Sequence, residues 1–442
     1  MTREGIASDM GFHGSVVHLL FRMEPYGGLQ EVVVELALAA RQHGYQVAVV
    51  ALEDARLPNQ YVSLLRAAGV AVSFPSWLRI RLLRWSLGTL ARFVLVLALV
   101  PFAMWKRMSL RSAWQRLQEE TSFQLVERQV RRAWAQHCVK ALDLLDAHNP
   151  VSLVHAHGIG PITFIAAHWA DKHDTSLVCH YHGQFTADKV QYYRSKFPAE
   201  DLQLLADTAT VIVQTPLLYN QARGFFGDTV PIEAIPNWVR VPDYISDKRA
   251  DRQLVRVGFL SRLVEFKGLE ELISAVARVR QRGLDIQCRV GGDGPLRPVC
   301  ERLAQELGCA DHVRFLGAIG RDGIGEFFGG IDAFVLASHS EAMPMSLMEA
   351  MSTRTPIIAT PVGGIPDMIT HGESGLLVPV GDVEALADAI ETLAKAPDVR
   401  ERLGRAGYEK WKAEYTEEAV WPKVAALYEA LMAGNAVCDE GK

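Results

Sequence analysis

The chain has 442 residues, of which 49% are hydrophobic and 22% charged, and its formal net charge is −5. This composition, without any low-complexity tract, is that of a globular protein with two or three domains of ordinary size and enough chain to bury a core in each. The six cysteines are scattered without a Cys-x-x-Cys pair, which argues for a reducing compartment and against a zinc ribbon. Because the first fifteen residues lack the apolar run of a signal peptide, we expect a cytoplasmic protein.

Charge is distributed unevenly along the sequence. Between Ala55 and Gln118 there are ten Lys or Arg residues and no Asp or Glu, so the remaining residues carry a net charge of −15. A basic segment in an otherwise acidic protein predicts a localised anionic partner.

The first predicted elements form a strand–loop–helix–strand unit. Residues 15–21 are an apolar strand, residues 31–43 an amphipathic helix that ends before Gly44, and residues 46–52 a second strand. This order is typical of a parallel sheet. Gly27 and Gly28 lie in the loop before the helix, where they either let the backbone approach a ligand or simply form a flexible turn. The Gly-x-Gly-x-x-Gly fingerprint is absent, so a nicotinamide cofactor is not favoured.

Residues 77–117 interrupt this pattern with a basic and apolar segment. Its longest apolar run, residues 93–105, has thirteen residues and is preceded by Arg92. Because a membrane-spanning helix needs about 20 apolar residues, we expect this segment to lie in the headgroup plane of an anionic membrane. The alternative is an internal hydrophobic helix with a basic exposed face. A long amphipathic helical region is predicted next, at residues 109–147.

Two later strands each end in a pair of histidines. His155 and His157 close the strand at residues 151–158, and His180 and His182 close the strand at residues 176–183. Alternate strand positions share a face, so each pair has the spacing of two metal ligands, but no carboxylate or thiolate partner accompanies them. Histidines at the carboxyl end of a parallel strand are more typical of a ligand cleft, and we expect no metal.

The second half of the chain repeats the strand-first order after a polar linker at residues 239–253. Strands are predicted at residues 254–260, 286–290, 313–317, 331–337 and 356–360, and a glycine-rich loop at residues 291–295 follows the second of them. Two successive halves of this kind predict an α/β chain with two Rossmann-like parallel-sheet domains that face an interdomain cleft.

The stretch from Ser338 to Met351 contains the strongest candidate site. Pro344 suits the first turn of a helix, which places Glu341 on the preceding loop and Glu349 about one and a half turns into the helix. The free amides of Met345 and Ser346, at the positive end of that helix, are suited to hold an anion.

Two cations accompany these glutamates. Arg262 and Lys267 lie five residues apart on the loop after the strand at residues 254–260, where they could neutralise a diphosphate. Glu349 could then accept hydrogen bonds from ribose hydroxyls, and Glu341 could hold sugar hydroxyls. The alternative is surface charge around an ordinary turn, but the ordered set favours a nucleotide-sugar site.

The motifs of the second half resemble the retaining family-4 glycosyltransferases of the GT-B fold, also called glycosyl transferases group 1. The resemblance covers nearly the whole chain apart from residues 77–117, and Gly27-Gly28, the His155/His157 strand and His182-Gly183 extend it into the first half. The motifs of the second half that carry it are Gly258-Phe-Leu-Ser-Arg-Leu-Val-Glu-Phe-Lys-Gly268, Gly291-Gly-Asp-Gly-Pro295, Phe315-Leu-Gly317, Glu341 through Glu349, Gly363-Gly-Ile-Pro366 and Ser374-Gly-Leu-Leu-Val-Pro379.

The resemblance implies roles for individual residues. Arg262 and Lys267 would bind the diphosphate and stabilise its departing charge, Glu349 would hold the ribose, and Glu341 would contact the donor sugar where chemistry occurs. His182 would contact the sugar or the acceptor. The implied catalytic set is Glu341, His182, Arg262 and Lys267. The implied donor-binding set is Gly27, Gly28, Arg262, Lys267, Gly294, Met343, Met345, Ser346 and Glu349.

The residue patterns and the resemblance together give a domain plan, and the resemblance implies a metal-independent mechanism. We expect an acceptor-side domain at residues 1–238 with the membrane-associating insertion at 77–117, a linker at 239–253, a nucleotide-sugar-binding domain at 254–415, and a terminal helix from 416 that packs back on the first domain before the tail to 442. No cofactor is required on this reading, and no Asp-x-Asp motif occurs. Two departures stand out from the family pattern: Pro236-Asn-Trp-Val-Arg240 replaces a common Pro-Asn-Gly-Val-Asp, and Asp367 replaces a common Glu.

The sequence therefore predicts a retaining glycosyltransferase that acts on a lipid-linked or cell-surface glycan precursor, peripherally bound to the inner face of the cell membrane. We expect a nucleotide sugar, a glycan or lipid-linked acceptor and an anionic membrane as partners, and no nucleic acid. The alternatives are a soluble glycosyltransferase with a small or polymeric acceptor and an inactive nucleotide-sugar-binding scaffold.

Overall fold

The structure, a computed structural model, describes residues 13–23, 28–54, 59–74, 135–136, 138–240 and 255–434, with the side chains of 21–23 and 52–54 outside that description. Gly27, the predicted membrane segment at 77–117, most of the helical region predicted at 109–147 and residues 241–253 of the predicted linker lie outside the described residues.

The first sheet has seven strands. In chain order they are β1 (Ser15–Met23), β2 (Gln46–Asp54), β3 (Ala71–Ser73), β4 (Leu153–His157), β5 (Ser176–His180), β6 (Ala209–Val213) and β7 (Ile232–Ala234). Their spatial order is β3-β2-β1-β4-β5-β6-β7. Every residue of β4 and of β6 is buried, and β6 is accordingly a nearly continuous apolar run.

The second sheet has six strands. They are β8 (Val255–Leu260), β9 (Ile286–Gly291), β10 (Val313–Gly317), β11 (Ala333–Leu336), β12 (Ile357–Ala359) and β13 (Leu376–Leu377), in the spatial order β10-β9-β8-β11-β12-β13. All of these neighbouring strands pair in parallel. The prediction of two Rossmann-like parallel sheets is therefore confirmed.

Helices connect the strands, and several begin at a cap that the sequence supplies. The helix Gln60–Ala67 starts after Asn59, whose side chain accepts from the amides of Tyr61 and Val62 at 3.0 and 3.3 Å. Such a cap satisfies amides that have no partner inside the helix. In the described part of the first half, the helices include Gly28–Gln42, Gln60–Ala67, Pro161–His173, Ala187–Lys196, Ala199–Thr208 and Pro216–Phe226, and residues 138–148 are also helical. Those of the second are Leu269–Gln281, Arg297–Glu306, Ile324–Gly329, Met345–Ser352, Ile365–Met368, Val383–Lys395, Pro397–Glu414 and Glu417–Met432.

The order of strands determines where a ligand can bind. In each sheet the first strand lies between the second and the fourth, so the chain direction across the sheet reverses at β1–β4 and again at β8–β11. Open parallel sheets bind ligands outside the carboxyl ends of the strands at such a reversal. The loops that leave β8 and β11 carry Arg262, Lys267 and Glu341, so the second reversal coincides with the predicted site.

The described residues form two compact units by their contacts. One unit contains those within Tyr26–Ala39, His180–Ala199 and Thr210–Lys442, and the other contains those within Met1–Pro25, Ala40–Cys179 and Glu200–Ala209. All predicted site residues that the structure describes belong to the first of these. The predicted domain boundaries remain a prediction.

Two element boundaries differ from the sequence prediction in ways that affect the site. The first helix begins at Gly28, three residues earlier than predicted, so Gly28 is in its first turn. Pro344 precedes the helix Met345–Ser352 as its cap, with φ −72° and ψ 123°, because its fixed φ is compatible with an extended ψ just before the first turn. Within the described part of the chain, no helix is long and apolar enough to cross a membrane.

Candidate functional site

The loops after β8 and β11 are joined by backbone contacts. The amide of His339 donates to the carbonyl of Phe266 at 2.8 Å. Gly268, at φ 73°, passes so close to Ala337 that a Cβ atom would overlap the carbonyl oxygen of Ala337. This contact explains why Lys267 is followed by a glycine. Gly268 lets the two loops approach each other, and the side chain of Lys267 then reaches the second loop.

Lys267 and Glu341 form an ion pair between these loops. The Lys267 ammonium lies 2.6 Å from Oε1 of Glu341, and the two side chains are only 14% and 7% exposed. The hydroxyl of Ser338 donates to the same oxygen at 2.8 Å. Charges this poorly hydrated require partners, so the pair fixes the position of the Glu341 carboxylate.

The backbone of Glu341 is also fixed. The side-chain amide of Gln184 donates to the Glu341 carbonyl. Gly363, at φ 55°, is packed against the same carbonyl, which a Cβ atom would overlap, and the amide of Gly364 donates to the carbonyl of Ala342 at 2.8 Å. The Gly363-Gly364 motif therefore supports the loop that carries Glu341.

The glycine-rich loop after β9 supports the loop that carries Arg262. The carbonyl of Asp293 accepts from the amide of Leu263 at 3.0 Å, and a Cβ atom on Gly294 would overlap the carbonyl of Leu263. This close approach of two backbones explains why position 294, which is predicted to bind the donor, is a glycine. Arg262 itself is exposed.

The helix Met345–Ser352 begins beside the first turn of the helix Gly28–Gln42. A Cβ atom built on Gly28 would lie 3.4 Å from Cγ of Met345. The first amides of a helix have no acceptor inside it, so those of Met345 and Ser346 are the groups available to an anion here. Met343, just before Pro344, is buried and accepts from the amide of Asn237 at 3.4 Å through its sulfur.

Glu349 lies one turn into this helix and is half-buried. The pKa of Glu349 is raised to about 8, chiefly by burial and also by the nearby negative charge of Glu31, while Arg321 acts in the opposite direction. The predicted ribose ligand is therefore a carboxyl group that changes its charge near neutral pH.

His182 is held in its uncharged form. Burial lowers the pKa of His182 to about 3, and its ring stacks on that of His180 with the centroids 4.0 Å apart. A neutral imidazole can donate or accept a hydrogen bond toward a sugar hydroxyl, but it brings no positive charge to the site.

His155 and His157 lie in a different group, together with His18 on the neighbouring strand β1. The three rings are buried, and Nδ1 of His18 lies 3.2 Å from Nε2 of His157. Their nitrogen atoms lie within 4.8 Å of one another, a spacing that also permits a metal ion, whereas the His18–His157 contact has the length of a hydrogen bond. Burial lowers the pKa of His18 to about 3, so the His18 ring is uncharged near neutral pH.

Sequence reasoning missed Ser338, Gln184 and Arg321. Ser338 is the first residue of the candidate stretch Ser338–Met351, and Gln184 directly follows the His182-Gly183 motif. Their closeness to these motifs could have indicated that both residues support the site. Arg321, in the short 3-10 turn Arg321–Gly323, pairs with Glu31 and Glu35, which are nearly 300 positions away in the sequence. No local pattern could have indicated that contact.

Comparisons with known proteins assign the chain to a family. A model described as glycosyl transferase 4-like domain matches residues 27–238, and one described as glycosyl transferases group 1 matches residues 243–410. The chain belongs to the group 1 glycosyltransferases. The predicted family, enzyme class and GT-B fold are thereby confirmed.

Relatives with curated functions are moderately similar to this group 1 glycosyltransferase. The lipopolysaccharide core biosynthesis glycosyltransferase LpsE of Rhizobium meliloti is 28% identical over 57% of this chain and 72% of its own. The alpha-D-kanosaminyltransferase of Streptomyces kanamyceticus is 32% identical over 40% of this chain and 46% of its own. For several of these relatives the matched stretch spans less than half of their length.

Solved structures share the fold at low sequence identity. Sucrose-phosphate synthase from Thermosynechococcus elongatus has a TM-score of 0.70 and 20% identity, covering 96% of this chain and 100% of its own. Anabaena HepE, solved with UDP and glucose, has a TM-score of 0.70 and 16% identity, covering 94% and 99%.

The raised pKa of Glu349 predicts a stability change with pH. Between pH 4.5 and about 8 the folded protein keeps a proton on Glu349 that the unfolded chain has lost, so this group reduces the free energy of unfolding as the pH rises through that window. Glu349→Gln removes the effect. We expect the variant to match the wild type near pH 4.5 and to be more stable at pH 9 by on the order of 1–3 kcal/mol, after allowance for solvent screening.

Urea unfolding at both pH values measures this difference. Glu373→Gln is the matched control, because Glu373 is exposed and its substitution should change the two values equally. A stability difference for Glu349→Gln that is the same at pH 4.5 and pH 9 would contradict the prediction.

Proposed function

We propose that this chain transfers a glycosyl group, with retention of configuration, from a nucleoside-diphosphate sugar to an acceptor, and that the donor binds at the loops after β8 and β11. The observation that carries the proposal is the ion pair of Lys267 with Glu341, because it brings a cation and a carboxylate together at the carboxyl ends of two parallel strands. UDP in the solved structure of Anabaena HepE, which shares the fold, supports a nucleotide donor.

The positive groups of the site are suited to the leaving group. The groups that would contact a phosphate are all hydrogen-bond donors: the side chains of Lys267 and Arg262 and the first amides of the helix Met345–Ser352. A nucleoside diphosphate gains negative charge as its bond to the sugar breaks. Interactions that strengthen with this charge lower the barrier. Because these cations serve the role that a divalent metal has in other transferases, we propose that transfer requires no metal.

The acidic groups are suited to the two sugars of the donor. Glu341, held by Lys267 and Ser338, is proposed to orient hydroxyls of the transferred sugar, and Glu349 to accept from the ribose. His182, uncharged by burial, is proposed to hydrogen-bond the transferred sugar or the acceptor. Gly28 is proposed to let the backbone of the first helix turn approach the phosphates.

For the acceptor, we propose a lipid-linked or cell-surface glycan precursor at a membrane. The name of LpsE, a lipopolysaccharide core biosynthesis enzyme, supports a glycan acceptor. The basic and apolar composition of residues 77–117 supports contact with an anionic surface.

A small soluble acceptor is the second candidate. Relatives named D-inositol 3-phosphate glycosyltransferase, such as that of Corynebacterium urealyticum, are 34% identical over 40% of this chain and act by name on a small phosphorylated polyol. An inactive scaffold is disfavoured, because the chain keeps Arg262, Lys267, Glu341 and Glu349 together.

Donor hydrolysis and transfer test the proposed reaction. We expect one of a panel of UDP-, GDP-, ADP- and dTDP-sugars to be hydrolysed or transferred by the wild type, equally with and without EDTA. Glu341→Ala should lower the rate by about 100-fold or more while the fold is kept, because it removes an interaction made at the reacting sugar.

Glu373→Ala is the control variant and should retain the wild-type rate. Unchanged turnover by Glu341→Ala would remove Glu341 from the mechanism, and complete loss of activity with EDTA would refute metal independence. Failure of the whole panel would contradict the proposed activity.

Flotation with lipid vesicles tests the proposed membrane contact. We expect the protein to float with vesicles containing anionic lipid and to lose most of that binding when Arg79, Arg81 and Arg84 are changed to Gln, at about 1 kcal/mol for each charge near the surface. Changing Arg400, Arg402 and Arg405 to Gln removes the same charge elsewhere and should leave flotation unchanged. Absence of binding to any vesicle would favour the soluble alternative.

A further inference from the structure

The loop after β5 carries His182, which is proposed to contact the transferred sugar or the acceptor, and Gln184, to which the proposed reaction gives no role. The side-chain amide of Gln184 donates to the backbone carbonyl of Glu341, on the loop after β11. The two loops leave strands of different sheets but belong to the same compact unit. This hydrogen bond therefore joins the loops of two residues that are proposed to act on the sugar.

The backbone of Gln184 is held by a hydrogen bond of its own. The hydroxyl of Tyr181 donates to the carbonyl of Gln184 at 3.0 Å, and the hydroxyl of Tyr193 donates to that of Tyr181 at 3.1 Å. Gly183 makes room for this arrangement, because a Cβ atom there would lie 2.6 Å from the Tyr181 hydroxyl. The glycine of the His182-Gly183 motif thus lets Tyr181 hold the residue that follows the motif.

The side chain of Gln184 fits closely where it meets Glu341. A Cβ atom on Gly363 would overlap both the Glu341 carbonyl and the side-chain nitrogen of Gln184, so this glycine leaves the space in which the two groups meet. Glu341 is buried, and a buried carbonyl that loses its donor costs free energy. Gln184 therefore fixes the backbone of Glu341, while Lys267 and Ser338 fix its carboxylate.

We propose that Gln184 is a positioning residue, which holds the backbone of Glu341 in a fixed place relative to the loop that carries His182. The inference rests on the proposed function, since that function assigns Glu341 and His182 to the transferred sugar. Gln184 acts through Glu341 and needs no contact with the donor. Catalysis is sensitive to such placement, because a shift of about 1 Å in a reacting geometry can lower the rate about 100-fold.

The role of Gln184 can be separated from binding of the diphosphate. The diphosphate is assigned to Lys267, Arg262 and the first amides of the helix Met345–Ser352, whereas Gln184 donates to a backbone carbonyl. Loss of the Gln184 amide leaves the ion pair of Lys267 with Glu341 in place. We therefore expect its loss to lower kcat and to leave the affinity for the nucleoside diphosphate unchanged.

The kinetics of Gln184→Met test the proposal, because methionine has nearly the length of glutamine but no donor. The substrate is the sugar nucleotide of the UDP-, GDP-, ADP- and dTDP-sugar panel that the wild type turns over fastest, and its nucleoside diphosphate is titrated by calorimetry. We expect kcat to fall about 10- to 100-fold, with KM and the Kd of the diphosphate within about threefold of the wild type. Tyr181→Phe, which removes the hydroxyl that holds the Gln184 carbonyl, should lower kcat by about two- to fivefold.

Gln221→Met is the matched control. Gln221, in the helix Pro216–Phe226, supports the same loop, but its side-chain oxygen accepts from the amide of Phe185 at 3.0 Å. Both variants should unfold at a lower urea concentration than the wild type, since each leaves a backbone group without its partner, but Gln221→Met should keep kcat within about twofold. Should Gln184→Met not fold, Tyr181→Phe becomes the test, and a wild-type kcat in that variant would overturn the proposal.

The outcomes separate this inference from the proposed function. A wild-type kcat in Gln184→Met, an equal loss of kcat in Gln184→Met and Gln221→Met, or a loss of diphosphate affinity as large as the loss of kcat would overturn the positioning role. If the wild type turns over no sugar nucleotide of the panel, the proposed function itself fails. If Glu341→Ala loses activity while Gln184→Met keeps the wild-type rate, only the inference about Gln184 is overturned.

Discussion

The ion pair between Lys267 and Glu341 is the interaction on which the organisation of the site depends. Both side chains are poorly hydrated, so each charge is stabilised by the other. The pair requires the loops after β8 and β11 to lie side by side, which follows from the reversal of strand order between these strands. The glycines of the motifs make this approach possible: Gly268 beside Ala337, and Gly363 beside Glu341.

The pair also links the resting structure to the proposed reaction. Without a donor, Lys267 is neutralised by Glu341. A diphosphate would offer Lys267 a second and more strongly charged partner, and the Glu341 carboxylate, still held by Ser338, would then accept more strongly from sugar hydroxyls. One contact thus holds both groups in place before the substrate arrives, which reduces the cost of ordering them during binding.

Much of the fold and of this site was predictable from sequence, for physical reasons. Buried parallel strands such as β8 and β11 are short apolar runs, and Pro344 marks a helix start because of its fixed φ. The family motifs then located Lys267, Glu341 and Glu349. The contact of Arg321 with Glu31, the anchoring of the Glu341 carbonyl by Gln184 and the raised pKa of Glu349 were not predictable, because each depends on residues distant in sequence and on burial.

The most direct test of the account is the affinity for UDP of Lys267→Met and Glu341→Gln, each compared with the wild type by calorimetry. Lys267→Met should weaken UDP binding by about tenfold or more, since a charge-assisted contact to phosphate is lost. Glu341→Gln should bind UDP as tightly as the wild type or more tightly, because Lys267 is released from its carboxylate partner. Wild-type affinity in Lys267→Met, or a large loss in Glu341→Gln, would contradict the assignment of the diphosphate to Lys267.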